Sequence, residues 1–175
     1  MSHTQYKIRN AGFEDTGPIF GLIRKNPAEL VPRPVSDILE NIDRFIVAEA
    51  NGKIAGVVSW QILPDIGLGT KPSVEMKSLA VARQHRKKGL GRALVLAVIE
   101  RILVLKPSRI IVLTFHPGFF RKFGFKRVAK RKLMHKLYQG CLNCAKYDSP
   151  FTCPEVAMTL DVTRRKGRRK ATTGK

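Results

Sequence analysis

The chain is short of acid. Its 175 residues hold 13 Asp and Glu against 33 Lys and Arg, a formal charge of +20. Such a field attracts phosphates, nucleic acid or small anions without choosing among them. Seven of the cations follow Thr163 with no acid among them, so the body keeps +13 without its tail. Cysteine is scarce as well: three thiols, an odd number, argue against a disulfide framework and suit a reducing compartment. No apolar run approaches the roughly 20 residues a bilayer span requires. Nor does an early apolar run follow a charged start, so a soluble, cytoplasmic protein with no membrane partner is expected. Aromatics make up 7%, and none interleave with the tail cations as stacking platforms for single-stranded nucleic acid would. Internal repeats and interior linkers are missing. A chain of this length buries one sizeable core, so one domain is expected over 1–163, with a basic, disordered tail over 164–175.

What is present alternates between strand and helix signals. Tyr6 to Ile8 reads as a first strand, and Phe13 to Lys25 as a helix that tolerates Pro18 in its first turn. After Pro27, Pro32 and Pro34, Ser36 is expected to cap a second helix running through Phe45. FIVAEANGKIAGVVSW then gives two β-rich runs around Asn51-Gly52, the pair that favours a type I′ hairpin turn. A loop from Asp65 to Pro72 precedes a strand, Val74 to Val81, on which Glu75, Lys77 and Leu79 share a face. Leu90 to Leu105 is a helix apolar on most sides, hence mostly buried. RIIVLTF, Arg109 to Phe115, has the continuous apolar character of a strand covered on both faces. Pro117 opens a short helix, Gly124 stops it, Phe125 onward is β-like, and CPEVAMTLDV closes the body as a last strand. The expected fold class is α/β (α+β), a mixed central sheet flanked by helices.

Between the strand ending at Val81 and the helix from Leu90 stands RKKGLGRAL. Free N–H groups at a helix start form an anion site, and glycine lets a pyrophosphate approach the backbone closely. Arg83, Arg86, Lys87, Lys88 and Arg92 add positive charge around it. A solvated turn is the plain alternative, but the placement between strand and buried helix favours a phosphate cradle.

In this stretch the chain resembles the GNAT acyltransferases, whose signature R/Q-x-x-G-x-G/A is met by Arg86, Gly89 and Gly91 directly after SLAVA. A second piece, PGFFRKFGF, resembles the short helix and Gly-Phe turn on the other side of coenzyme A in that family. The resemblance implies acetyl-CoA as cosubstrate. It implies that backbone groups of Leu79, Ala80 and Val81 pair with the pantetheine arm, and that amides of Lys87, Lys88, Gly89, Leu90, Gly91 and Arg92, with Arg86 beside them, bind the pyrophosphate.

Amine acylation needs a neutral amine, a donor for the oxyanion and a proton for the departing thiolate. Glu75 sits where several family members place a carboxylate that removes the amine proton; a salt-bridged structural Glu is the equal alternative. Relatives carry a Tyr as proton donor where this chain has Phe120, and a phenyl ring cannot donate. His116 is the nearest titratable candidate, with water as a substitute.

Within the family the chain is similar to the short, single-domain N-acetylglutamate synthase type, through LVPRPVSDILENIDRFIVAE, VEMKSLAV, VLTFHPGFFRKFGF and the tract MHKLYQGCLNC followed by CPEVAM. That implies glutamate as acceptor and a place in arginine biosynthesis, with Arg33 and Lys77 suited to its carboxylates. Acetylation of a protein lysine, an N-terminus or a polyamine is the second reading. A nucleic-acid-binding protein using Arg121, Lys122, Lys126, Arg127, Lys130, Arg131, Lys132 and the tail is the third. Homodimerisation stays open. His135, Cys141, Cys144 and Cys153 could supply four metal ligands, but beyond the CxxC their spacing is irregular, and reduced thiols without metal are expected.

Overall fold

The computed structural model describes residues 5–64, 71–141, 144 and 146–162. The tail over 164–175 and most of the loop from Asp65 lie outside them. The chain gathers into two compact units, Met1–Gln61 with Met76–Arg101, and Ile62–Glu75 with Ile102–Lys175.

Seven strands carry both units: β1 (Lys7–Asn10), β2 (Phe45–Ala50), β3 (Lys53–Leu63), β4 (Ser73–Val81), β5 (Arg109–Thr114), β6 (Lys126–Arg127) and β7 (Val156–Asp161). The ladder order is β1-β2-β3-β4 and then β4-β5-β7-β6. The helices are α1 (Thr16–Arg24), α2 (Val35–Glu40), α3 (Leu90–Val104), α4 (Pro117–Arg121) and a single α-helical turn, α5 (Met134–Lys136). The mixed α/β reading therefore holds.

In the first unit β2 and β3 form the hairpin that Asn51-Gly52 announced. Ala50 pairs with Lys53, and Asn51 and Gly52 take the positive φ angles, 50° and 72°, that a two-residue type I′ turn demands. The core here joins Ile19, Leu22 and Ile23 of α1 to Ile38, Phe45, Val47 and Val57. Gly56 on β3 permits the close approach of α3, since a Cβ there would stand 2.8 Å from Leu94 Cδ1 and 3.2 Å from Ala80 O. A side chain at 56 would force Leu94 to move and crowd the β4 backbone at Ala80 O.

The second helix is a correction. It begins at Val35 with Pro34 as N-cap and stops at Glu40, rather than running from a Ser36 cap to Phe45. Asn41 leaves helical geometry at φ −114° and ψ 22°, its amide donating to Asp37 O and Oδ1. A 3-10 turn, Ile42–Arg44, follows. Phe45, fully buried, is claimed by β2, where it pairs with Ser59. Sheet pairing and burial override a continuing helical period.

In the second unit β4 and β5 run parallel, Val74 against Ile110 and Glu75 against Ile111. β5 and β7 pair antiparallel from Arg109↔Asp161 to Thr114↔Val156. Ile110, Ile111 and Val112 are buried, as a strand covered on both faces requires. Phe120, Phe123 and Phe125 form an edge-to-face aromatic cluster with Phe119. The β-like reading from Phe125 onward holds only for β6; the segment after it winds instead through a 3-10 turn (Lys130–Leu133), α5 and a π-helical turn (Leu137–Cys141).

Candidate active site

The glycine turn begins where β4 ends. Ala82 N–H donates to Ala55 O of β3 at 2.8 Å. Backbone groups alternate in direction along a strand, so those of Ala80 also face β3, while those of Leu79 and Val81 turn to the opposite edge. Of the three residues expected to pair with a pantetheine arm, two thus present their main chain outward. Upstream, Ser78 takes a left-handed φ of 55°, unusual for a residue with a Cβ and a local break in the pleat.

The turn itself holds two more left-handed residues, Lys87 at φ 60° and Gly89 at φ 83°. A turn of this kind can aim neighbouring N–H groups to one side, a concave nest that favours anions. Gly89 O accepts from Ala93 N–H at 3.1 Å, so the N–H groups of Leu90, Gly91 and Arg92 belong to the first helical turn, where no intrahelical acceptor exists. Nothing stands within 4 Å of where a Gly89 Cβ would be. Lys87, Lys88, Gly89 and Arg92 are exposed, while the Leu90 side chain is 2% exposed and anchors the turn to the core. The residues present therefore fit a pyrophosphate: open space, amide donors, a helix start and cations.

Arg86 has a different occupation from the one its motif suggests. Nε donates to Val81 O at 3.0 Å, and Nη2 donates to Asn26 Oδ1. Asn26 is itself tied to α1, its amide donating to Leu22 O at 2.7 Å. The guanidinium thus staples the turn to the end of α1. Tyr6 OH and His85 Nδ1, 3.2 Å apart, brace the same turn from β1. A nearby groove lined by Arg9, Glu14, Asp15, Lys25, Lys53 and Arg83 mixes both charge signs and offers no comparable anion field.

A second constellation in the first unit surrounds Ser78. Arg33 Nη1 donates to Ser59 Oγ and Ser78 Oγ, both at 3.2 Å. Arg33 Nε pairs with Asp37 Oδ2 at 2.5 Å, and the guanidinium lies 5.1 Å over the Phe45 ring. Ser59 Oγ donates to Lys77 O at 3.3 Å, and Lys77 Nζ donates to Gln61 Oε1 at 3.0 Å. The hydrogen bond from Arg33, against the opposing effect of burial, holds the Asp37 carboxyl below the usual range, helped by the charges of Arg33 and Lys77. Arg33, on the loop before α2, is half-buried and fixed by these contacts.

In the second unit Glu75 is 5% exposed, and Lys136 Nζ stands 3.0 Å from its Oε2. The two buried groups form a close ion pair. Burial opposes the charge of Lys136, but the charges of Glu75, Cys141 and Glu155 outweigh it and raise its pKa. Burial also pushes Glu155 and the Cys141 thiol up. His116 lies exposed before α4, its backbone N–H donating to Thr114 Oγ1 at 2.9 Å. Phe120 is 4% exposed within the aromatic cluster, a core role rather than a vacant catalytic one. Cys141, Cys144 and Cys153 are free thiols, and among the described residues no three His, Cys, Asp or Glu side chains converge on a metal position. Among those residues too, no helix is long and apolar enough to cross a membrane.

Sequence reasoning missed Lys136, Ser78 and Asn26. The only signal for Lys136 was a lysine amid apolar neighbours in HKLY; strand alternation carried none for Ser78.

A family model described as an acetyltransferase (GNAT) domain matches residues 41–127, which spans the whole β2-to-β6 frame of the cradle. The chain is 31% identical, over 86% of its length and 93% of the relative's, to an uncharacterized N-acetyltransferase of Chlorobaculum tepidum. It belongs to the GNAT N-acetyltransferases and transfers acetyl groups from acetyl-CoA. Among solved structures, a Mycobacterium tuberculosis protein in complex with CoA and NLQ superposes with a TM-score of 0.72 at 21% identity, covering 89% of this chain and 99% of that one. N-acetylglutamate synthase of Neisseria gonorrhoeae, complexed with coenzyme A and N-acetyl-glutamate, gives 0.71 at 19% identity, over 91% of this chain but 36% of that one.

Proposed function

We propose that the acceptor is the α-amino group of glutamate and that acetyl passes to it directly in a ternary complex, yielding N-acetylglutamate for arginine synthesis. The observation that carries this reading is the Arg33 and Lys77 pair, two cations brought together around Ser59 and Ser78 with one carboxylate, Asp37, to balance them. Planar, fixed guanidinium and mobile ammonium suit the two carboxylates of one dicarboxylic amino acid. The synthase of Neisseria gonorrhoeae, solved with N-acetyl-glutamate, supports the same choice.

In this reading the outward main chain of Leu79 and Val81 lines up the pantetheine arm. Amides from Lys87 to Arg92 hold the pyrophosphate. Glu75 takes a proton from the ammonium of the acceptor, directly or through water; the freed lone pair attacks the thioester carbonyl carbon, and the C–S bond breaks to release coenzyme A thiolate. A thiolate is a good leaving group, so water or the exposed His116 suffices to protonate it.

Thiol release from acetyl-CoA, followed across amino acids, polyamines and lysine peptides, tests the assignment. Stimulation by glutamate well above every peptide and polyamine is the expected result; a polyamine or peptide that outruns glutamate overturns it.

A further inference from the structure

Glu75 is expected to accept a proton, yet it is buried against a lysine. That lysine sits in an unusual place. Lys136 ends a single α-helical turn and is followed at once by a π-helical turn, Leu137–Cys141, a wide turn that is rare and is enriched at functional sites. Its side chain is 8% exposed, in a segment whose neighbours Arg131 and Lys132 are exposed. The ammonium rests against Gly140, where a Cβ would stand 2.8 Å from Nζ. Leu133 and Leu137 on either side are buried.

We propose that Lys136 is a positioning residue for Glu75: seated over Gly140, its ammonium holds the carboxylate charged and aimed, leaving Oε2 a lone pair for the incoming proton. This rests on the reading of Glu75 as the base. The physical need is plain. A charge this deeply buried is costly unless a partner of opposite sign stands close to it. A cation at 3.0 Å supplies that partner. The other ionisable groups packed around the pair are Glu155, leading into β7, and Cys141, at the end of the π turn, both of which burial favours in neutral form.

The test compares kcat/KM against pH for thiol release, with glutamate or whichever amine of the panel is acetylated. Variants are Lys136→Met, Lys136→Arg, Gly140→Ala and Glu75→Gln. Without the ammonium the acid limb moves to higher pH by about one unit or more. Lys136→Arg keeps the limb near its original place. Gly140→Ala, which puts a methyl where Nζ rests, moves it in the same direction by less, and serves if Lys136→Met does not fold. A merely structural lysine lowers activity alike at every pH. An unmoved limb in both Lys136→Met and Gly140→Ala, with Glu75→Gln impaired, overturns this proposal alone. Undiminished turnover in Glu75→Gln removes Glu75 as base and takes the proposal with it.

Discussion

The two units use their charge differently. The first holds fourteen Lys and Arg against eight Asp and Glu, the second nineteen against five. In the first, arginines are braces: Arg9 grips Asp15 and Glu49, Arg33 grips Asp37 and two serines, Arg86 ties β4 to α1. In the second, Arg121, Lys122, Lys126, Arg127, Arg131 and Lys132 are exposed, and one lysine is drawn inside. A large net charge thus says little about where ionic structure lies. Of the fixed cations, Arg33, Arg86 and Lys136 stand beside candidate chemistry and Arg9 does not.

The sharpest way to break this contrast is to remove the carboxylate that the buried lysine faces. Glu75→Gln is expected to cut thiol release by about 10²–10⁴-fold, the range for loss of a general base, measured at saturating acetyl-CoA. A loss below threefold would place the chemistry elsewhere. Gly89→Val comes next: a β-branched residue at φ 83° is strained, and its side chain fills the open side of the nest. Coenzyme A affinity by calorimetry is expected to fall by about tenfold or more, roughly the 1.4 kcal/mol that separates a made from a missing contact with a charged group.

Glu155→Gln gives a smaller effect of opposite sign. Burial raises the Glu155 pKa in the folded chain, so ionisation favours unfolding as pH rises through the unfolded value toward the folded one. The amide is expected to raise the melting temperature at pH 8 and to leave it nearly unchanged at pH 4. Asp15 has the reverse sign. Its pKa is lowered, mainly by the Arg9 hydrogen bond, so it stabilises above the ordinary carboxylate pKa, and that contribution disappears as pH falls through the lowered value. Asp15→Asn should therefore destabilise at pH 7 and converge with wild type in acid. Smallest of all, Lys126→Glu with Arg127→Glu, on the exposed strand β6, is expected to change coenzyme A affinity less than about twofold at 0.15 M salt, where surface charges are screened beyond roughly 8 Å. A large loss would mean that the general field, rather than the nest, captures the phosphates.

The sequence was legible where chemistry is local. The Asn51-Gly52 turn, the strand into the glycine turn and the buried helix α3 follow from residues adjacent in the chain, and each formed as expected. The shape of the glycine turn belongs to this class, because its glycine spacing and its helix start are local facts. What stayed hidden depends on tertiary neighbours. α2 ended early because Phe45 is worth more inside the sheet than on a helix. Arg86 looked like a phosphate ligand but is held by Asn26, sixty positions away in sequence. Lys136 looked like one more solvated cation of a basic stretch, and only the fold reveals the carboxylate it meets.

Ser78 has a last implication. Glycine would sit in that left-handed conformation without the cost of a Cβ, about 1 kcal/mol or more, yet it would delete the hydroxyl that receives Arg33. A thermostability screen, blind to acetyl transfer, should therefore enrich glycine at position 78, and in the hardier proteins it selects Arg33 would keep only one of the two hydroxyls that fix it.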